Sequence, residues 1–218
     1  MRLIYLFNDF KKIFLKQKKN NLDYNYVVRT KKFSNSSRQK TEHKYINNIL
    51  RKNDINDVLD FGCNDGRLAL SIDKNIKYFG VDINTNLKRT HLHSQNVRIY
   101  NKEVFLKKKF KCIILSHVIG HLDNPINIIK RLTNNLKKNG IIIIITPNKY
   151  FKFFISFKNL FNNYLPDNTV LKYYSKKEVL DILQKINLKL FYFKKYSIHN
   201  NLILKKLMGE RLIFVVKK

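Results

Sequence analysis

The sequence predicts an α/β fold: an open, mostly parallel sheet with helices on both faces and an antiparallel pair of strands at one edge. Three observations carry this. From residue 58 onward, short apolar segments alternate with segments of helical periodicity, as in a parallel sheet with crossover helices. The longest apolar run, residues 141–145, is five consecutive isoleucines with no polar alternation. A strand of that kind is expected to be buried on both faces. The first apolar segment ends in Gly62, and Gly66 follows four residues later, so a strand turns almost directly into a helix.

Taken in order, residues 1–40 read as a basic, aromatic-containing extension. Within it Leu3, Phe7, Phe10 and Phe14 recur at helical spacing beside Lys11, Lys12, Lys16, Lys18 and Lys19. Such a basic amphipathic segment is expected to pack on the domain as a cap, or to rest on an anionic surface. Residues 31–40 read as a loop, being rich in Ser and Asn. Tyr45, Ile46, Ile49 and Leu50 form the apolar stripe of a helix over 42–52. Strands follow at 58–62, 78–82, 97–100, 110–116 and 141–146. Helical segments lie between them at 67–74, 84–94 and 125–138. The last of these has Pro125 near its start, Ile128, Ile129, Leu132 and Leu136 on one face, and Gly140 after its end. Seven aromatics between 150 and 164 belong to an insertion at 149–174, read as a lid or as core packing. Ser175 and Glu178 then form a capping box for a helix over 175–186. Segments 188–196 and 211–216 are the antiparallel pair. One domain, 41–218, behind the extension is the simplest organisation.

The chain has 218 residues, with 44 Lys+Arg against 15 Asp+Glu, a net charge of +29. Of the basic residues 35 are Lys and nine are Arg, alongside abundant Asn and Ile, a bias that A+T-rich codons produce. Arg is the better residue for bidentate phosphate or base recognition. Nucleic acid is therefore a disfavoured partner, and a weak attraction to anionic membrane surfaces is expected. No run reaches the ~18–20 apolar residues of a membrane span, and Asp9, Lys11 and Lys12 break any signal-peptide core. Cys63 and Cys112 are too few for a disulfide framework or a zinc site. The expected location is the cytoplasm, peripheral to a membrane at most, with no metal.

The chemistry concentrates in Val58-Leu-Asp-Phe-Gly-Cys-Asn-Asp-Gly-Arg67 and in Asp82, 22 residues after Asp60. A glycine-flanked turn at a helix start lets backbone approach a ligand, and an acid ending the next strand suits ribose hydroxyls. Together they describe a pocket for an adenosine-containing ligand. A dinucleotide turn needs a second Gly where this chain has Asn64, and Asp60 would repel a pyrophosphate. A ligand with a cationic amine or sulfonium fits better, so S-adenosylmethionine is favoured over a nicotinamide dinucleotide.

These segments resemble the class I S-adenosylmethionine-dependent methyltransferases, in the small-molecule group that includes the ubiquinone-biosynthesis enzymes. Residues 58–66 are similar to the family's first motif and Phe79–Asp82 to its second. Residues 110–125, ending Gly-His-Leu-Asp-Asn-Pro125, resemble its fourth-strand segment. Leu136-Lys-Lys-Asn-Gly140 with Thr146-Pro-Asn148 resembles its fifth, and Tyr174-Ser-Lys-Lys-Glu178 a late helix start. The resemblance spans residues 40–218. It implies a Rossmann-like fold, the cofactor S-adenosyl-L-methionine and these roles: Asp60 near the methionine amino group; Gly62, Cys63, Asn64 and Gly66 shaping the loop under it; Asp82 on the ribose; Ile83 against the adenine; Asn101 near the adenine amine; and Ser116 and His117 at the junction of cofactor and substrate. Asn64, Lys111 and Gly120 depart from the family pattern at the middle Gly, the acid after Phe110 and the acid before His121. Asn tolerates a left-handed backbone, so the turn survives its substitution.

His117 and His121 are the candidate catalytic residues, since a neutral imidazole can take a proton from a hydroxyl. Four apart, they would share one face of a helix. No third ligand accompanies them, so metal binding is not expected. The function expected is methyl transfer to oxygen, nitrogen or carbon of a small-molecule, glycan or lipid acceptor. The alternative is an RNA methyltransferase, or a non-catalytic nucleic-acid-binding protein on the same fold.

Overall fold

The computed structural model describes residues 37–82, 97–100, 108–151, 170–197 and 209–218. Helix α1 (Ser37–Lys52) precedes strand β1 (Asp57–Phe61). Then come β2 (Lys77–Val81), β3 (Val97–Tyr100), β4 (Phe110–Ser116), helix α2 (Pro125–Leu132), β5 (Leu136–Pro147), helix α3 (Lys176–Lys185), β6 (Lys189–Tyr196) and β7 (Arg211–Lys217). The strands form one seven-stranded sheet in the order β3-β2-β1-β4-β5-β7-β6. Strands β1 to β5 pair in parallel, while β7 runs antiparallel to both β5 and β6. The expected antiparallel pair is therefore present, with β7 inside the sheet and β6 at its edge.

The isoleucine run explains how the two faces are filled. Ile141, Ile143 and Ile145 join Ile46 and Leu50 of α1, Val58, Tyr78, Cys112 and Ile114 in one apolar cluster. Ile142 and Ile144 join Leu59, Phe61, Ile113, Leu115 and Phe214 in the other, together with Ile128, Ile129 and Leu132 of α2 and Val179, Ile182 and Leu183 of α3. Successive side chains of a strand point to opposite faces, so a strand covered by helices on both sides has no polar position. Each fully buried isoleucine contributes roughly 1.5–3 kcal/mol by leaving water.

Four boundaries differ from expectation. Helix α1 begins at Ser37, so residues 37–40 are helical and not loop. The helix after Gly66 is a single 3-10 turn, Arg67–Leu70. The helix expected over 125–138 ends at Leu132 and passes through a 3-10 turn, Thr133–Asn135. There Thr133 Oγ1 donates to Lys130 O (2.6 Å) and Asn135 Nδ2 to Lys108 O (2.9 Å). Side chains bonding to nearby backbone compete with the helix ladder. Strand β5 consequently starts at Leu136, opposite Phe110, with Asn139 left-handed (φ 58°) before the isoleucines. The segments at 1–36, 84–94 and 152–169 lie outside the described residues. No helix among the described residues is long and apolar enough to cross a membrane.

Helix α3 starts with the expected capping box: Glu178 N–H donates to Ser175 Oγ (3.3 Å) and Ser175 N–H to Glu178 Oε2 (2.8 Å). Ser175→Ala should cost about 1 kcal/mol and lower the calorimetric Tm by roughly 2–4 °C. An unchanged Tm would show the cap to be energetically silent.

Candidate functional site

The sheet order changes direction between β1 and β4, whose neighbours on the outer sides are β2 and β5. In such sheets a crevice opens beyond the carboxyl ends of the strands at that point. Of the sequence-predicted residues, Asp60, Gly62, Cys63, Asn64, Gly66, Asp82, Ser116 and His117 lie at or near these strand ends. At the end of β1, Gly62 and Cys63 both donate their N–H to Val81 O (2.7 and 3.1 Å), and Gly66 N–H donates to Cys63 O (2.9 Å). Gly62, Asn64 and Gly66 are all left-handed, with φ of 79°, 54° and 80°. Asn64 therefore occupies the conformation that a glycine would otherwise supply, as expected. The turn is tight: a Cβ on Gly62 would lie 2.5 Å from Val118 Cγ2, and one on Gly80 2.8 Å from Cys63 Sγ.

Asp82, at the end of β2, accepts the Asn64 N–H on Oδ2 (2.7 Å). Asp60 lies within β1, opposite Gly80, and is buried. Its Oδ2 accepts the Tyr78 hydroxyl at 2.5 Å. Burial pushes the Asp60 carboxyl up to about 7; the Tyr78 hydrogen bond pulls the other way, and the charges of Asp82 and Glu42 add to the rise. Asn64 Oδ1 is buried with no hydrogen-bond partner among the described residues. Cys63 is a buried thiol packed on Gly80, its Sγ 3.6 Å from Asn64 O. Ile83 and Asn101 lie outside the described residues.

At the end of β4 the decisive partner comes from α1. Ser116 Oγ donates to Glu42 Oε1 (2.5 Å), while His117 Nε2 and Tyr196 Oη each lie 2.8 Å from Glu42 Oε2. Glu42 is buried. Burial alone would raise its carboxyl, but His117, Ser116 and Arg211 outweigh that and hold it at about 2. The same Oε2 contact and burial push the Tyr196 hydroxyl up. His117 itself is left-handed (φ 59°), and its N–H donates to Ile145 O (2.8 Å).

His117 and His121 do not share a helical face. His117 leaves the helical region of backbone space, and His121 ends a three-residue 3-10 turn, Ile119–His121. Gly120, which departs from the family pattern, accepts two backbone N–H groups, from Leu171 and Lys172. A Cβ there would lie 2.9 Å from Lys172 O. The close approach of residues 170–174 thus accounts for glycine at this position. Of the aromatic segment, Phe151 is buried and Tyr150 exposed; the remainder lies outside the described residues. No group of three or more His, Cys, Asp and Glu side chains suited to a metal occurs among the described residues.

Glu42 was missed as a site residue, though a signal existed. It stands four residues before Ile46 and eight before Leu50, on the apolar stripe of α1. A carboxylate on such a stripe needs buried donors.

A family model described as a methyltransferase domain matches residues 29–192. No curated protein matches the sequence. Among solved structures, an S-adenosylmethionine-dependent methyltransferase from Archaeoglobus fulgidus is similar at 20% identity and a TM-score of 0.59, covering 88% of this chain and 99% of that one. The small RNA methyltransferase HEN1 is similar at 16% and 0.65, covering 83% and 25%. The plantazolicin methyltransferase BamL, in complex with a triazolic desmethylPZN analog and SAH, is similar at 13% and 0.64, covering 88% of each chain.

The buried Asp60 has a thermodynamic consequence. Its folded pKa of about 7 exceeds the unfolded 3.8, so the folded state holds a proton that the unfolded state has released. Stability is then greatest below about pH 4 and falls as pH rises to about 7. Glu42 acts oppositely and below this window, contributing stability that is lost as pH falls from about 4.5 towards 2. The Tm difference between Asp60→Asn and wild type should therefore grow in favour of the variant from pH 4.5 to 7 and level off above. Calorimetry across that range checks it, and a pH-independent difference would refute it.

Proposed function

The chain belongs to the methyltransferase-domain family, and from that premise we propose that it moves a methyl group from S-adenosylmethionine to a hydroxyl-bearing small-molecule, glycan or lipid acceptor. It is an enzyme on a Rossmann-like fold. The observation that carries the reading is the turn 62–66, with its three left-handed residues, held against Asp82 by the Asn64 N–H.

The residues present fit the donor. Asn64 Oδ1 is a buried acceptor with no partner among the described residues, beside a turn whose glycines bring backbone close. An ammonium supplies the donors that such an acceptor lacks. In this reading Gly62, Cys63, Asn64 and Gly66 form the floor under the amino-acid moiety, and Asp60 supplies negative charge beneath it. Asp82 accepts from the ribose hydroxyls, Ile83 and Asn101 serve the adenine, and Ser116 borders the reacting end. Held by these residues, S-adenosylmethionine would supply an electrophilic methyl group to the acceptor's lone pair, leaving its sulfur as the neutral thioether. The protein's own work is to orient the acceptor, exclude water and take the hydroxyl proton. Orientation is worth up to ~7–11 kcal/mol and a base ~10²–10⁴-fold. His117 takes the proton; what supports this is its fixed ring at the end of β4. His121 is the second candidate, a turn away.

A nucleic-acid acceptor is the competing reading, supported by the net charge of +29. It demands binding to RNA whose log K falls steeply with log salt. The lysine-dominated excess supports instead a loose attraction to anionic surfaces, with the enzyme cytoplasmic or peripheral to a membrane.

Titration calorimetry should give saturable heat with S-adenosylmethionine and none with a nicotinamide dinucleotide. Asp82→Ala should weaken S-adenosylmethionine at least tenfold, about 1.4 kcal/mol. Absence of heat with wild-type protein would overturn the reading.

A further inference from the structure

The cluster around Glu42 assigns a proton before any substrate arrives. Three donors from two strand ends converge on one buried carboxylate: Ser116, the last residue of β4, His117 just after it, and Tyr196, the last residue of β6. An ionised carboxylate can only accept hydrogen bonds. The ring nitrogen 2.8 Å from Oε2 must therefore carry the hydrogen. In the neutral imidazole the other nitrogen is then bare. Among the described residues Nδ1 has no hydrogen-bond partner. The ring is also aimed by a backbone that histidine rarely adopts, φ 59°, held by the bond from His117 N–H to Ile145 O. Left-handed conformations of non-glycine residues cost energy and persist where the surroundings impose them, often at functional sites.

We infer that Glu42 is a positioning residue for His117: by accepting the Nε2 proton it leaves Nδ1 as the ring atom that receives the acceptor's hydroxyl proton. The inference rests on the methyl-transfer reading and deepens it. As the acceptor oxygen forms its new bond, its proton passes to Nδ1 and the ring becomes an imidazolium. The cation lies against the Glu42 carboxylate, which neutralises it, and the ring afterwards returns the proton to solvent. The same arrangement recurs wherever a carboxylate orients a histidine base. The other charged or titratable groups that act on this pair are His43 on α1, Arg211 on β7, Asp60 on β1 and Tyr196 on β6.

The test reads the ring and needs no acceptor. In ligand-free protein with ¹⁵N-labelled histidine rings at pH 8, His117 (assigned by its loss in His117→Gln) should show a protected, hydrogen-bonded Nε2–H and an unprotonated Nδ1. Glu42→Ala should lose the protected Nε2–H. Tyr196→Phe, which removes a different donor from the same oxygen, should keep it. A ring protonated at Nδ1, or a protected Nε2–H that survives Glu42→Ala, overturns the inference. Should Glu42→Ala fail to fold, the wild-type and Tyr196→Phe spectra still decide between the two nitrogens. If wild-type protein binds no S-adenosylmethionine, the methyl-transfer reading fails, while the ring measurement still reports on Glu42 alone.

Discussion

Two backbone N–H groups, those of Gly62 and Cys63, share one carbonyl, Val81 O. This shared bond folds the chain leaving β1 back across the end of β2. It brings Asn64 N–H to Asp82 and presses Gly62 against Val118 at the end of β4. Three strand ends are thereby drawn to one place. A side chain at position 62 would hold β1 and β4 apart, and a right-handed backbone at 64 would send the chain beyond it in a different direction. The parallel pairing of β1 with β2 and β4 sets the stage, but the turn decides whether the carboxyl ends form a site or merely loops.

Much of this was legible because it depends on local chemistry. The five isoleucines announced a doubly covered strand, Ser175 and Glu178 announced a helix start, and Gly62, Asn64 and Gly66 announced a left-handed turn. What escaped depended on contacts distant in sequence. The helix over 125–132 stops where Asn135 reaches Lys108, 27 residues earlier. Glu42 is 75 residues from His117 and 154 from Tyr196. No periodicity in α1 distinguishes a solvated glutamate from one on which three donors converge, except its place on the apolar stripe. The resemblance to the methyltransferase family pointed to a missing acid at Gly120. The fold shows a position where a second segment approaches too closely for any side chain.

The two buried carboxylates solve the same problem in opposite ways. Asp60 and Glu42 sit on the same face of the sheet, with Asp60 raised partly by the charge on Glu42. Glu42 is surrounded by donors and held ionised at about 2. Asp60 has the Tyr78 hydroxyl and little else to offset burial, and drifts to about 7. A buried acid that is costly to ionise is poor structural material, since an apolar side chain would stabilise the sheet more. Such a group is retained where something else makes it useful. In the proposed reading, a cation beside Asp60 would restore the charge that burial suppresses, as an ammonium or sulfonium would and a pyrophosphate would not.

Glu42 also ties α1 to the sheet beyond what apolar packing does. The helix buries Ile46 and Leu50 against the same sheet face as Tyr78 and Ile143, which would suffice for packing. The carboxylate adds a second attachment, to the last residue of β4, the residue after it and the last residue of β6. Displacing α1 would strand three donors without an acceptor, at roughly 1–3 kcal/mol for each group left buried and unpaired. It would also free the His117 ring. The helix α1 that covers the sheet and the histidine at the strand end are therefore held by a single group, so the geometry after β4 is coupled to the correct seating of α1.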